Sequence, residues 1–152
     1  MPDYQLLTEL LGMPQVWVSH YQLEGSARIE LTVESTLPAA VCPECQQIST
    51  QVHETSAPQL VRDLPIWGRQ CWLVYAPRRF ECVPCGGTFV ERVAWREPGQ
   101  DYSQRYTQHV YQRARREPIA QIAQAEQLSE DSVQGLFERV AKKQSPPVAI
   151  RS

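Results

Sequence analysis

Two Cys-x-x-Cys pairs carry the residues whose type and spacing can do chemistry: Cys42-Pro43-Glu44-Cys45 and Cys82-Val83-Pro84-Cys85. Together they supply four thiolates, the number that a closed tetrahedral zinc site takes. Each pair presents two sulfurs from one tight turn, and two such turns face to face make a zinc ribbon. The 36 residues from Gln46 to Glu81 leave room for two or three strands between the turns. Four protein ligands leave no open position for a catalytic water, so the spacing points to a structural ion. A disulfide scaffold would suit a short secreted chain, but no secretory apolar segment stands at the N-terminus. A thioredoxin-like motif needs one such pair inside a strand–helix unit, not two matched pairs. The fifth cysteine, Cys71, lies in Cys71-Trp72-Leu73-Val74-Tyr75 and reads as a small core residue of a buried strand. His53 is a ligand only if one knuckle is distorted, and otherwise an exposed or hydrogen-bonded histidine.

The elements that must position these turns follow from periodicity. Tyr4, Leu6, Leu7, Leu10 and Leu11 form one face of a short helix over residues 3–11, closed by Gly12 and Pro14. Residues 15–21 and 28–33 alternate apolar and polar around Glu24-Gly25-Ser26, a hairpin signal. Val16, Val18, Ile29, Leu31 and Val33 are then expected on one buried side. Leu64-Pro65-Ile66-Trp67-Gly68-Arg69 reads as a turn between two strands, and Pro98-Gly99-Gln100 as a linker. Beyond it the period becomes helical. A helix over 103–116 is followed by a short one opened by Pro118, a turn at Leu128, and a last helix capped by Ser129. Its apolar face is Val133, Leu136, Phe137 and Val140. Two short helices around a tight turn, with a supporting helix before them, is the helix-turn-helix arrangement.

The 152 residues carry a formal charge of −2, which by itself says nothing about nucleic acid. The distribution says more. Residues 1–61 hold seven acids and one base, Arg28, whereas residues 62–117 hold ten arginines against six acids. Arginine suits bidentate phosphate contact and stacking. No run approaches the ~18 apolar residues of a membrane span, and paired free thiols fit a reducing compartment, so a cytoplasmic protein is expected. No Ser/His/Asp grouping, open metal site or usefully spaced carboxylate pair suggests an enzyme.

Three runs resemble one family of bacterial insertion-sequence transposases, the ISL-three family. They are Arg62-Asp63-Leu64-Pro65-Ile66, Arg78-Arg79-Phe80-Glu81-Cys82 and Cys85-Gly86-Gly87-Thr88-Phe89-Val90-Glu91-Arg92. The resemblance covers roughly residues 38–143. It implies an N-terminal zinc ribbon and a helix-turn-helix ahead of a DDE-type catalytic domain. The sequence stops at Ser152, where that domain would begin, so this chain is expected not to cut or join DNA by itself. A truncated copy, an excised piece and a domesticated DNA-binding remnant all fit. A second departure is Gln127, which stands in the turn where glycine is common.

The expected fold is α+β. An N-terminal helix and β-hairpin (1–37) precede a small β-rich zinc ribbon (38–97), a linker (98–101), a three-helix helix-turn-helix domain (102–145) and a disordered tail (146–152). Cys42, Cys45, Cys82 and Cys85 are the expected Zn2+ ligands. The resemblance makes the helix from Ser129 the DNA reader. Gln134 is then the base contact, Ser132 a base or phosphate donor, and Arg139, Lys142 and Lys143 backbone contacts. Arg105, Arg113 and Arg116 on the preceding helix, among Tyr102, Tyr106 and Tyr111, suit backbone or single-strand contact or, equally, core packing with a solvated arginine face. In the ribbon, Arg69 and Arg78 are expected DNA contacts, and Arg79 an offset to the thiolate charge. Glu130 and Asp131 favour the helix dipole but repel phosphate. The function expected is a zinc-stabilised, non-catalytic binder of double-stranded DNA, with a homodimer left open. The alternative is a protein–protein adaptor subunit of a larger nucleoprotein complex, of the transposition or CRISPR-effector kind.

Overall fold

The computed structural model describes residues 4–144. The predicted tail at 146–152, with Pro146 and Pro147, lies outside the described residues. The chain is α+β and falls into two compact units, Met1–Ser103 and Gln104–Ser152.

In the first unit, α1 (Gln5–Leu11) is followed by the hairpin β1 (Val16–Glu24) and β2 (Arg28–Ser35). Then come β3 (Ala40–Val41), β4 (Ile48–Ser49), β5 (Val52–Thr55), β6 (Gln59–Ile66), β7 (Arg69–Tyr75), β8 (Arg78–Cys82) and β9 (Gly87–Val90). The four-stranded sheet has the order β1-β2-β7-β6. Its β2–β7 pair is parallel, Leu31 facing Leu73, and its outer pairs are antiparallel. Strands on either side of residues 37/38 therefore share one sheet and one core. Alternation fixes the inner face: Val16, Val18, Ile29, Leu31 and Val33 are buried as a set, with Val61, Cys71, Leu73, Tyr75 and Trp95. Cys71 is fully buried there, a core residue.

Helix α1 ends at Gly12, whose φ of 67° lets its N–H return to the Thr8 carbonyl. Thr8 also accepts the Val18 N–H through its hydroxyl at 2.9 Å, so the helix covers part of the β1 edge. At the opposite edge, the end of the segment read as a linker and the two residues after it are pinned to β6, the Arg62 N–H donating to the Asp101 carbonyl at 2.8 Å. Arg62 and Tyr102 form a parallel bridge, and the Ser103 hydroxyl donates to the buried Asp63 carboxylate at 2.7 Å.

Two smaller sheets, β3-β4 and β5-β8-β9, make the ribbon. Its core is minimal: Phe80 and Phe89 stack at 6.0 Å beside Cys42 and Cys82.

The second unit holds α2 (Gln104–Ala114), α3 (Ile119–Glu126) and α4 (Glu130–Gln144). Its buried stripe is Tyr106, Val110, Ile122, Val133, Leu136 and Val140, with Tyr111 stacked on Phe137 at 5.2 Å. Two of the tyrosines interleaved with arginine therefore pack inward. Gln127 adopts φ 56°, and its N–H returns to the α3 carbonyls as a glycine at that place would. The Ser129 hydroxyl accepts the Ser132 N–H at 3.0 Å and caps α4.

One carboxylate ties α2 to α3. Glu126, buried, accepts from the Tyr106 hydroxyl at 2.8 Å and from Arg113 Nη1 at 2.8 Å, with His109 Nε2 at 3.3 Å. Burial pushes its pKa up, but the hydrogen bonds from Tyr106 and Arg113 outweigh it and hold the carboxyl below its ordinary value. The associated stability is complete above the unfolded carboxyl value of about 4.3 and is lost as pH falls through the lower folded value. Thermal melts across that acid range are expected to show the loss, and Glu126→Gln to flatten it. Glu126→Ala, which leaves Arg113 short of a partner, is expected to cost about 3 kcal/mol in denaturant melts.

Candidate metal centre and nucleic-acid interface

The two knuckles are built alike. Cys42 ends the β3 region, Pro43 and Glu44 make the turn, and the Gln46 N–H returns to the Cys42 carbonyl at 2.9 Å. Cys82 ends β8, Val83 and Pro84 make the turn, and the Gly86 N–H returns to the Cys82 carbonyl at 2.9 Å. Both returning residues have positive φ, 65° at Gln46 and 74° at Gly86. The short pairs β3–β4 and β8–β9 hold each turn open toward the other.

The four sulfurs lie within 4.8 Å of one another. Cys42 and Cys85 approach to 3.9 Å, and Cys45 and Cys82 to 3.4 Å. Tetrahedral zinc with Zn–S bonds of about 2.3 Å spaces its sulfurs at roughly 3.8 Å, so the donor set and the cage both fit that ion. These separations are far too long for a disulfide, and all four thiols are free. The shared site splits their acidities. The Cys42 thiol is held down to about 7, first by the Cys45 backbone, while Cys85 is pushed up to about 12, first by hydrogen bonding with Cys45 and Cys82. A bound cation would favour the thiolate at all four. His53 stands apart from the cluster, exposed, with Nδ1 3.2 Å from Glu81.

Residues 38–85 match the zinc-finger of transposase IS204/IS1001/IS1096/IS1165. That segment is similar to the transposase zinc ribbon of the ISL3 type. The chain is also 32% identical over 97 residues to the transposase for insertion sequence element IS1001 of Bordetella parapertussis. That match covers 62% of this chain and 24% of the relative, so the chain spans about a quarter of the relative's length. The resemblance to the N-terminal region of ISL3 transposases therefore holds, and zinc is the ion the ribbon takes. The matched family segment is a zinc finger and not a catalytic domain. No solved structure matches. No helix among the described residues is long and apolar enough to cross a membrane.

The arginines expected as DNA contacts divide into two groups. Arg78 is committed internally. Its guanidinium donates to Glu91 through Nε at 2.8 Å and through Nη2 at 2.6 Å, and Nη2 also reaches the Leu37 carbonyl. Glu91 is buried and also accepts from the Tyr75 hydroxyl at 2.9 Å, so this triad fastens the ribbon to the sheet. The hydrogen bonds from Arg78 raise that guanidinium's pKa further, and burial beside Glu91 raises the Tyr75 phenol. Arg79 is the more exposed of the pair, with Glu54 at 3.7 Å and Thr88 at 3.1 Å. Arg113 is likewise held between Glu117 and Glu126, at 2.9 and 2.8 Å. To reach phosphate, either Arg78 or Arg113 would first have to leave a charge-assisted pair that its fold needs. Arg69 and Arg105 are half-buried, and Arg116 is exposed in the turn just beyond α2.

On α4 the buried stripe leaves Asp131, Gly135, Glu138 and Lys142 on the opposite side. Gln134 donates to Glu138 at 2.7 Å, and Ser132 accepts from the Ser129 hydroxyl at 2.8 Å. Arg139 is half-buried, and Lys142 and Lys143 are exposed over the last turn. The residues that sequence reasoning missed are Glu91, Tyr75, Glu117 and Glu126. Glu91, Tyr75 and Glu126 have partners distant in sequence, whereas Glu117 pairs with Arg113 four residues before it on the helical period.

Elemental analysis of the purified chain is expected to find one zinc, and Cys42→Ser or Cys85→Ser to lose it. Chelation should abolish amide protection in β3, β4, β8 and β9. Glu91→Gln, which strips Arg78 of its counter-charge, is expected to destabilise the first unit by about 3 kcal/mol while zinc remains bound.

Proposed function

We propose that this chain is a zinc-stabilised DNA-binding protein of transposase type that binds duplex DNA and has no catalytic activity of its own. The observation that carries the reading is the four-sulfur cage lying inside the segment that matches a transposase zinc finger. The three helices of the second unit supply the reader on this view. Helices α3 and α4 flank a three-residue turn, Gln127-Leu128-Ser129, with α2 packed behind, as a helix-turn-helix requires. Gln134 is the base contact, after releasing Glu138, and Ser132 a base or phosphate donor. Arg139, Lys142 and Lys143 reach the phosphates, and Arg116, Arg105 and Arg69 add backbone contacts. Arg78 and Arg113 serve by holding the binding elements in place.

The adaptor reading keeps two observations in its favour. Glu130 and Asp131 put negative charge at the start of α4. Leu6 and Leu10, one turn apart on α1, are 67% and 51% exposed. A protein partner would cover that strip, and its binding would survive high salt and nuclease.

Anisotropy titration of the zinc-loaded chain on duplex DNA is expected to show affinity falling linearly with salt on logarithmic axes. Alanine at Arg139, Lys142 and Lys143 together should flatten the slope by about 2–3. Gln134→Ala should cost about 1–3 kcal/mol on a selected site and leave random DNA unaffected. Absence of duplex binding at low salt would reject the reading in favour of the adaptor.

A further inference from the structure

We propose that Trp67, at the tip of the β6–β7 hairpin, is a stacking residue for an unpaired or unstacked base of bound DNA. The inference rests on the DNA-binding reading above and names a contact that reading does not contain.

The tip is a two-residue turn in which Trp67 and Gly68 both take positive φ, 45° and 79°. That is the pattern of the turn that normally holds Asn-Gly or Asp-Gly. Positive φ is unfavourable for a bulky aromatic residue, so the fold gains nothing locally from an indole here. Trp67 does not repay the strain by packing. It is 83% exposed, more than any other large apolar side chain among the described residues. Its ring meets no aromatic, cation or hydrogen-bond partner there.

Two of the other three tryptophans show the contrast, and the third, Trp17, sits within β1 at 44% exposed. Trp95 is buried edge-on against Tyr75 at 5.1 Å. Trp72 lies under the Arg28 guanidinium at 4.7 Å and donates its indole N–H to Gln70. Only Trp67 is held out from the surface by a strained turn.

The strands aim the tip. The register of β6 on β7 shifts between Asp63 and Ile66, so Leu64 and Pro65 bulge opposite Gln70. Pro65 has no N–H to lose at this edge, and such a bulge bends the hairpin just before its turn. Beside the tip, Arg69 carries a buried Nε with no hydrogen-bond partner. On the adjoining hairpin, Glu24 and Glu30 are both engaged by Arg28, at 3.3 and 2.9 Å, and on β6 itself Asp63 is buried and accepts from the Ser103 hydroxyl.

These surroundings decide the ligand. A protein interface needs a contiguous apolar centre around its anchor. Here the neighbours along the hairpin are Pro65, Ile66, Gly68 and Arg69, and Ile66 packs against the sheet's own core. A lone protruding indole beside a cation is the arrangement that stacks on a base, and stacking tolerates any base identity.

The test compares two labelled duplexes that differ only in a short mismatch bubble, titrated with the zinc-loaded full chain. The wild type is expected to prefer the bubble by about tenfold. Trp67→Asn should remove that preference, retain binding to the paired duplex, and raise the melting temperature, since asparagine relieves the turn. Trp67→Phe should keep most of the preference. The proposal is overturned if the wild type binds both duplexes equally, if Trp67→Asn keeps the preference, or if Trp67→Asn melts lower, which would make the indole structural. Failure of the wild type to bind either duplex would instead remove the DNA-binding reading, and the stacking contact with it.

Discussion

The convergence of four sulfurs from two turns is the constraint on which the ribbon depends. Between them, the β3–β4 and β5–β8–β9 sheets bury little beyond Phe80, Phe89 and two of the cysteines themselves. So small an apolar core cannot offset the conformational entropy of its own strands. A metal crosslink between segments whose nearest sulfurs belong to residues 37 and 43 positions apart supplies what burial does not. The knuckles therefore hold the rest of the ribbon in place. Without them Arg78 and Glu91 lose the strands that present them to each other, and the ribbon has no fixed attachment to the larger sheet.

Much of the local structure was readable because its signals are local. The β1–β2 hairpin announced itself by alternation, and all five residues assigned to its inner side are buried. The knuckles announced themselves by spacing. What could not be read was the parallel pairing of β2 with β7, which merges the N-terminal hairpin with strands lying beyond the first knuckle. A parallel pair has no turn to fix its register and no short-range pattern. A strand buried by it looks like any other alternating strand.

Charge was legible as a total and illegible as a partner. The concentration of arginine between residues 62 and 117 is plain in the sequence, and arginine is what phosphate contact would use. Yet Arg78 and Arg113 each find a carboxylate 13 residues away, at Glu91 and Glu126. Apart from Glu117, four residues beyond Arg113, nothing local distinguishes an arginine that grips an internal acid from one that waits for a ligand. The difference lies in burial: Glu91 and Glu126 are screened from water, and an acid so placed must be paired or neutralised. In this molecule the buried acids choose their arginines first, and the surface retains what is left.

Strain can be read in the same way, by asking what each strained residue returns. Among the described residues, four that are not glycine take positive φ: Gln15, Gln46, Trp67 and Gln127. Three of them are glutamines with a visible backbone use. Gln46 closes a knuckle onto the Cys42 carbonyl, Gln127 closes α3, and the Gln15 carbonyl accepts the Thr36 N–H across the hairpin base. At each, the conformation serves the backbone and the side chain is incidental. At Trp67 the turn would be better served by asparagine, and the side chain receives no packing in exchange. A residue that costs the turn stability and buries so little of its side chain points to something outside its own unit. The polar, cationic neighbourhood of the tip is why that something is argued to be a base and not a protein pocket.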